Sequence, residues 1–205
     1  MKAYPIMLDV RGRVCVVVGA GPVGVRRAMG LAECGATVRL VAPDAPADKL
    51  EGIQCVTAPY EKAHLAGAAL VLACTGERGL NARIVADARA AGALANAADQ
   101  PGDCDFHLPA VARDGDVVVA VGTGGAAPAL AAVLKDELAG RLPQRIGEFA
   151  DALARVRPRV HERIADPARR RSILRNLAGR AGLTAFAEAG MAGLTELAST
   201  LIEAK

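Results

Sequence analysis

Apolar and polar positions fall into two regimes along the chain. "VCVVVG", Val14 to Gly19, is an unbroken β-branched run with no polar face, the pattern of a strand buried on both sides. It runs into a glycine turn and then "VGVRRAMGLAECG", whose spacing predicts a helix closed by Gly35. "ATVRLVAPD" predicts a second strand, ended by Pro43. After a connecting stretch, "GAALVLACTG" predicts another strand, "NARIVADARAAG" its helix, and "ALANAAD" a further short strand. "GDVVVAVGTGG" supplies one more strand, and "PALAAVLKDELAGRLP" a helix that Pro128 can open. From about Arg145 the strand signal stops. The remainder is helical in composition, with Pro158 and Pro167 expected to break or kink it. Strands alternating with helices argue for an α/β fold with a parallel sheet. The candidate boundaries are near Pro109 and Pro143.

Composition supports this picture. The chain has 205 residues, 52% apolar and only 2% aromatic, with no Trp. A globular fold is expected, with a core of Ala, Val, Leu and Gly that suits close helix-on-sheet packing. No apolar stretch reaches the roughly 20 residues of a membrane span. The opening segment breaks its apolar character at Asp9, Arg11 and Arg13, unlike a signal peptide. A soluble cytoplasmic protein with no membrane partner is expected. The cysteines, Cys15, Cys34, Cys55, Cys74 and Cys104, are odd in number and form no CxxC pair, which favours reduced thiols. Neither they nor His64, His107 and His161 are spaced as metal ligands, so no metal site is assigned.

Charge is uneven. Residues 1–140 carry 13 Lys and Arg against 15 Asp and Glu; residues 141–205 carry 12 against 7. The basic end does not point to nucleic acid, because the net charge is only +3 and stacking aromatics are scarce.

The chemistry starts at Gly19, Gly21 and Gly24, a G-x-G-x-x-G between strand and helix. The first glycine permits the tight turn, the second admits a pyrophosphate, and the third lets the helix pack against the strand. Free N–H groups at the helix start then face the phosphates. Gly19, Gly21, Pro22, Val23 and Gly24 are the candidate cofactor-binding residues. Pro43 and Asp44 end the second strand; an acid there accepts a ribose 2′-hydroxyl and repels a 2′-phosphate. That favours NAD over NADP, although Asp44 reads almost as well as an exposed turn residue. Thr75, after "ALVLAC", is a further candidate hydroxyl on the nucleotide side.

"YPIMLDVRGRVCVVVGAGPVGVRRA", "NAAD" followed by "FHLPA", and "VAVGTGGAAPALAAVLKDELAGRLP" together resemble the precorrin-2 dehydrogenases of sirohaem synthesis, including the N-terminal half of sirohaem synthase. The resemblance runs from about Tyr4 to about Arg175. It departs at the Gly-Ala-Gly of the loop, at Gly24 and Arg27 (commonly Ala and Lys in the family), and at Ala127 (usually Ser). It implies a Rossmann-type NAD-binding domain in residues 1–108, a small α+β dimerisation segment in 109–145, and a C-terminal helical domain in 146–205. It further implies a homodimer that dehydrogenates precorrin-2, a tetrapyrrole, to sirohydrochlorin with NAD. Some members also insert metal, with ferrous or cobaltous ion as substrate.

By the resemblance Asp99 is the catalytic aspartate, able to take protons during dehydrogenation; its bland alternative is a turn-capping acid before Pro101. Thr123, Gly124 and Gly125 fall on the substrate side, or simply form a turn that needs glycine. His107, also on the substrate side, is the remaining candidate for acid–base or metal work; a lone histidine beside an apolar segment is more often structural. Asp103 and Asp105 read best as solvated loop acids. Arg155, Arg157, Arg159, Arg163, Arg169, Arg170, Arg171 and Arg175 would attract a polycarboxylate, although solvated helix faces explain most of them. Two rivals remain: a dehydrogenase without chelatase activity, and a regulatory module that binds dinucleotide without chemistry.

Overall fold

The computed structural model describes residues 3–46, 50–98, 102 and 104–204. The chain divides into two compact units, Met1–Leu108 with Gly124–Ala126, and Pro109–Thr123 with Ala127–Lys205.

The first unit holds β1 (Val14–Val18), α1 (Pro22–Glu33), β2 (Thr37–Ala42), β3 (Ile53–Thr57), β4 (Ala68–Ala73), α2 (Arg78–Ala90) and β5 (Leu94–Ala97). The strands form one parallel sheet in the order β3-β2-β1-β4-β5. Successive side chains point to opposite faces, and each face has its helix. Val16, Val18, Val71 and Ala73 pack with Ile84, Val85 and Ala88 of α2. Cys15, Val17, Val38, Leu40 and Leu72 pack with Ala28 of α1. Alanines at these contacts let the helices come close, which is how a core nearly without aromatics is filled.

β3 lies within the stretch that the sequence pattern left as a connection. It is an edge strand. Ile53, Cys55 and Val56 are only half-buried, while Gln54 and Thr57 are exposed, so its hydrophobic signal is short and weak.

The second unit contains an antiparallel hairpin, β6 (Ala110–Asp114) and β7 (Val117–Val121), then α3 (Pro128–Gly140), α4 (Ile146–Arg163), α5 (Pro167–Ala178) and α6 (Arg180–Glu203). Only β7 was expected. β6 is its half-exposed partner, turned back at Gly115, whose φ of +56° suits the first position of a two-residue hairpin loop. α4 passes through Pro158 without ending, so of the expected break or kink there is no break. Its buried stripe of Phe149, Ala152, Val156 and Val160 packs on Ile173, Leu177, Phe186 and Leu194, and this packing outweighs one lost backbone bond. Pro167 does open a new helix, with the Asp166 carboxylate accepting the N–H groups of Ala168 and Arg169. α6 is interrupted at Gly190 (φ +59°), where the hydrophobic pattern carries no stop signal. Among the described residues, no helix is long and apolar enough to cross a membrane.

Candidate cofactor and active site

The strand order reverses beside β1: the chain runs outward through β2 and β3, then returns to β1's other side for β4. Open parallel sheets bind ligands at such a switch point, outside the carboxyl ends of the strands. The glycine loop follows β1 at this place.

Its three glycines have different reasons. Gly19 has φ +107°, and a Cβ there would stand 2.5 Å from the Cys74 carbonyl oxygen. The loop thus lies against the end of β4, while the Gly19 N–H donates to Val41 in β2 at 2.8 Å. A Cβ on Gly24 would stand 1.9 Å from the Gly19 carbonyl oxygen, so the first turn of α1 rests directly on the loop. Gly21 differs: its φ is −65°, and a Cβ would meet nothing within 4 Å. Nothing among the described residues requires glycine there, which leaves space for an incoming group. Pro22 occupies the first turn of α1, no side chain caps the helix, and the first turn carries no acid. Its unpaired N–H groups and positive dipole end suit a phosphate. Val23 beside them is 40% exposed. The cradle fits a dinucleotide pyrophosphate.

Facing the loop is the turn after β4. Asn81 of α2, fully buried, holds it at three points. Its Oδ1 accepts from the Thr75 N–H (3.1 Å) and lies 2.7 Å from the Thr75 hydroxyl; its Nδ2 donates to the Thr75 carbonyl at 3.1 Å. The Thr75 hydroxyl also accepts from the Glu77 N–H. Thr75 therefore lies in the turn after β4, with its hydroxyl engaged in that turn. Asn81 was missed, yet it had a signal: it falls on the apolar stripe of Ile84, Val85 and Ala88.

Arg27, on α1, donates through Nη1 to the Cys74 sulfur (3.4 Å) and to Asn96 Oδ1 in β5 (3.2 Å). Asn96 is 5% exposed, and its Nδ2 donates to the Phe106 carbonyl at 2.8 Å. Burial pushes the Cys74 thiol pKa up, with Arg27 acting against it. The segment returning along β5 is bonded to it. Asp105 N–H donates to Ala95 O, Asp105 Oδ2 accepts from Ala95 N–H, and the Cys104 sulfur accepts from Ala97 N–H. Burial tends to raise the Asp105 carboxyl, but the Arg89 guanidinium at 2.8 Å and the Ala95 N–H outweigh it and hold its pKa below the usual value. Asp105, expected as a solvated acid, is thus a paired group that closes the edge of the sheet.

Pro43 and Asp44 are exposed in the turn after β2, and His107 is half-buried. Asp99 and Asp103 lie outside the described residues. The Thr123 hydroxyl accepts from the Ala127 N–H at 3.2 Å at the entrance to α3. Gly124 and Gly125 have φ of +63° and +84°, so that turn does require glycine. The candidate arginines of α4 and α5 are exposed except Arg170, which is half-buried. None of the five cysteines is joined in a disulfide. No group of three or more potential metal ligands occurs among the described residues.

Residues 6–110 match the family model described as putative NAD(P)-binding, and residues 145–204 match that of the sirohaem synthase dimerisation region. The chain belongs to this NAD(P)-binding family. Its C-terminal helices match the sirohaem synthase dimerisation region, whereas the hairpin and α3 fall between the two matches. Sirohaem synthase of Nitrosococcus oceani is 38% identical over 170 residues, covering 80% of this chain and 36% of the relative. That of Nitrosospira multiformis is 35% identical over 213 residues, covering 99% and 44%. The chain therefore spans about two-fifths of the length of these relatives. The solved structure of SirC, a precorrin-2 dehydrogenase, has the same fold: TM-score 0.77 at 22% identity, over 97% of this chain and 100% of the other.

Proposed function

We propose that the chain is an NAD-dependent precorrin-2 dehydrogenase that forms sirohydrochlorin for sirohaem synthesis, acting as a homodimer. The observation that carries this reading is the open cradle at Gly21, at the β1/β4 switch point, in a chain of this family. The relatives' name and the fold shared with a precorrin-2 dehydrogenase supply the substrate class.

NAD, when bound, supplies the hydride acceptor. Gly19 and Gly24 shape the loop, Gly21 admits the pyrophosphate, and the first-turn N–H groups bind it. Asp44 takes the adenosine ribose hydroxyls and disfavours a 2′-phosphate. Asp99 is the base that takes a proton from the macrocycle, with His107 and the Thr123–Gly125 turn on the substrate side. Exposed arginines of α4 and α5 draw in the polycarboxylate. The working division is an NAD-binding domain in 1–108, a dimerisation segment in 109–145 and a helical domain in 146–205.

The test is anaerobic incubation of the protein with NAD and fresh precorrin-2, following NADH and the sirohydrochlorin spectrum. Asp99→Asn should lower turnover by roughly 10²–10⁴ while NAD affinity stays within a few-fold. NAD binding without NADH formation in wild type would favour a regulatory module instead. A variant with normal turnover would remove Asp99 as the base and leave His107 next in line. Adding ferrous or cobaltous ion as a further substrate tests metal insertion, which on this reading also falls in Asp99→Asn.

A further inference from the structure

We propose that Arg27 and Asn96 are positioning residues that couple the cofactor-binding helix to the segment Cys104–His107; this rests on the dehydrogenase reading above. The two ends of the Asn96 amide have different partners. Oδ1 receives Arg27 Nη1 from α1 at 3.2 Å, and Nδ2 donates to the Phe106 carbonyl at 2.8 Å. Arg27 lies on the helix that opens at Gly21, and its Nη1 also meets Cys74 at the end of β4. A single relay thus joins the glycine-loop helix, the ends of β4 and β5, and the backbone just before His107.

The relay's chemistry is specific. A part-buried guanidinium is expensive to desolvate, and an acid would neutralise it most cheaply, yet Arg27 has only neutral acceptors among the described residues. A neutral amide does what a carboxylate at residue 96 cannot: it accepts from Arg27 and donates to Phe106 at once. Asp105 and Cys104 bond the returning segment to Ala95 and Ala97 of β5, and Asp105 also pairs with Arg89 of α2. The Asn96 amide carries the connection onward to α1. A shift of about 1 Å in a positioned group can cost about 10²-fold in rate, so the relay matters for turnover more than for cofactor affinity.

The experiment uses the full chain, four single variants (Arg27→Met, Arg27→Lys, Asn96→Ala and Asn96→Asp) and one double variant. Hydrogen exchange of residues 104–107 is measured with and without NAD, alongside NAD affinity, kcat and KM. In wild type, NAD should slow exchange in 104–107. In Arg27→Met and Asn96→Ala that response should vanish. Their NAD affinity should stay within about threefold, and kcat should fall by about 10–100-fold. Lys retains one donor for Asn96, so Arg27→Lys should recover the exchange response and most of kcat. Asn96→Asp keeps the acceptor but loses the donor to Phe106, and should not recover either. The double variant Arg27→Met with Asn96→Ala should be no worse than either single one, because both break one relay. An unchanged exchange response and kcat in Arg27→Met and Asn96→Ala overturns the proposal. So does a parallel loss of folding and NAD affinity in them with kcat of the folded fraction intact. If wild type turns over no precorrin-2 but its exchange response depends on Arg27 and Asn96, the dehydrogenase reading fails and the coupling stands.

Discussion

Gly21 and Gly24 are three residues apart in one motif, and the structure separates their roles. Gly21→Ala adds a methyl to open space at an ordinary φ. It should leave the melting temperature within about a degree, because surface changes of this kind are nearly neutral, and weaken NAD at least tenfold. Gly24→Ala puts a methyl against the Gly19 carbonyl. It should destabilise the first unit by about 1–3 kcal/mol or more, and cofactor binding would fall with the fold. Thermal melts beside NAD titrations check both; equal loss of stability in the two variants would contradict the distinction. Asp105 gives a pH test. Its folded pKa lies below the unfolded value, so its contribution is complete above about pH 4 and is lost as pH falls through the folded pKa. Asp105→Asn lacks that contribution at neutral pH and should lose less stability between pH 5 and pH 3. Urea midpoints over that range report it; identical acid slopes would rule the pairing out as a contributor.

At the scale of elements, α3 carries the clearest surface feature. Leu130, Val133, Leu134 and Leu138 are exposed on one helix stripe, Val133 at 63%, and apolar patches of this kind mark interaction sites. Placing the dimer contact in residues 109–145 predicts that the wild-type chain sediments as a dimer at micromolar concentration. Val133→Asp should then become a folded monomer. The family's dimerisation match covers 145–204 instead. A Val133→Asp protein that remains dimeric would move the contact onto α4–α6.

For the whole molecule, cofactor choice is the informative measurement. A ligand that binds only the native state at about 100 times its Kd stabilises it by about 2.7 kcal/mol. NAD should therefore raise the melting temperature, and NADP should do so less at equal concentration if, as proposed, Asp44 takes the adenosine ribose hydroxyls. Tighter binding of NADP than NAD would remove Asp44 from the adenosine site.

The division between sequence and fold follows the range of the interactions. Local pattern alone determined β1, β2, β4 and β5, helices α1 to α3, the glycine motif, and the helical end of the chain. Each of these depends on neighbours a few residues away and on period-2 or period-3.6 burial. Tertiary structure decided the rest. β3 and β6 carry weak patterns, because exposed polar residues interrupt them, Gln54 and Thr57 in β3 and Arg113 and Asp114 in β6. The reversal beside β1 that places the cradle depends on which strands pair, and no single segment encodes that. Asn81, Arg27 and Asn96 were polar letters in apolar elements until folding gave them partners. Arg27 lies 69 residues from Asn96 in sequence and 3.2 Å away in space, and a buried polar group is stable only when such a partner satisfies it.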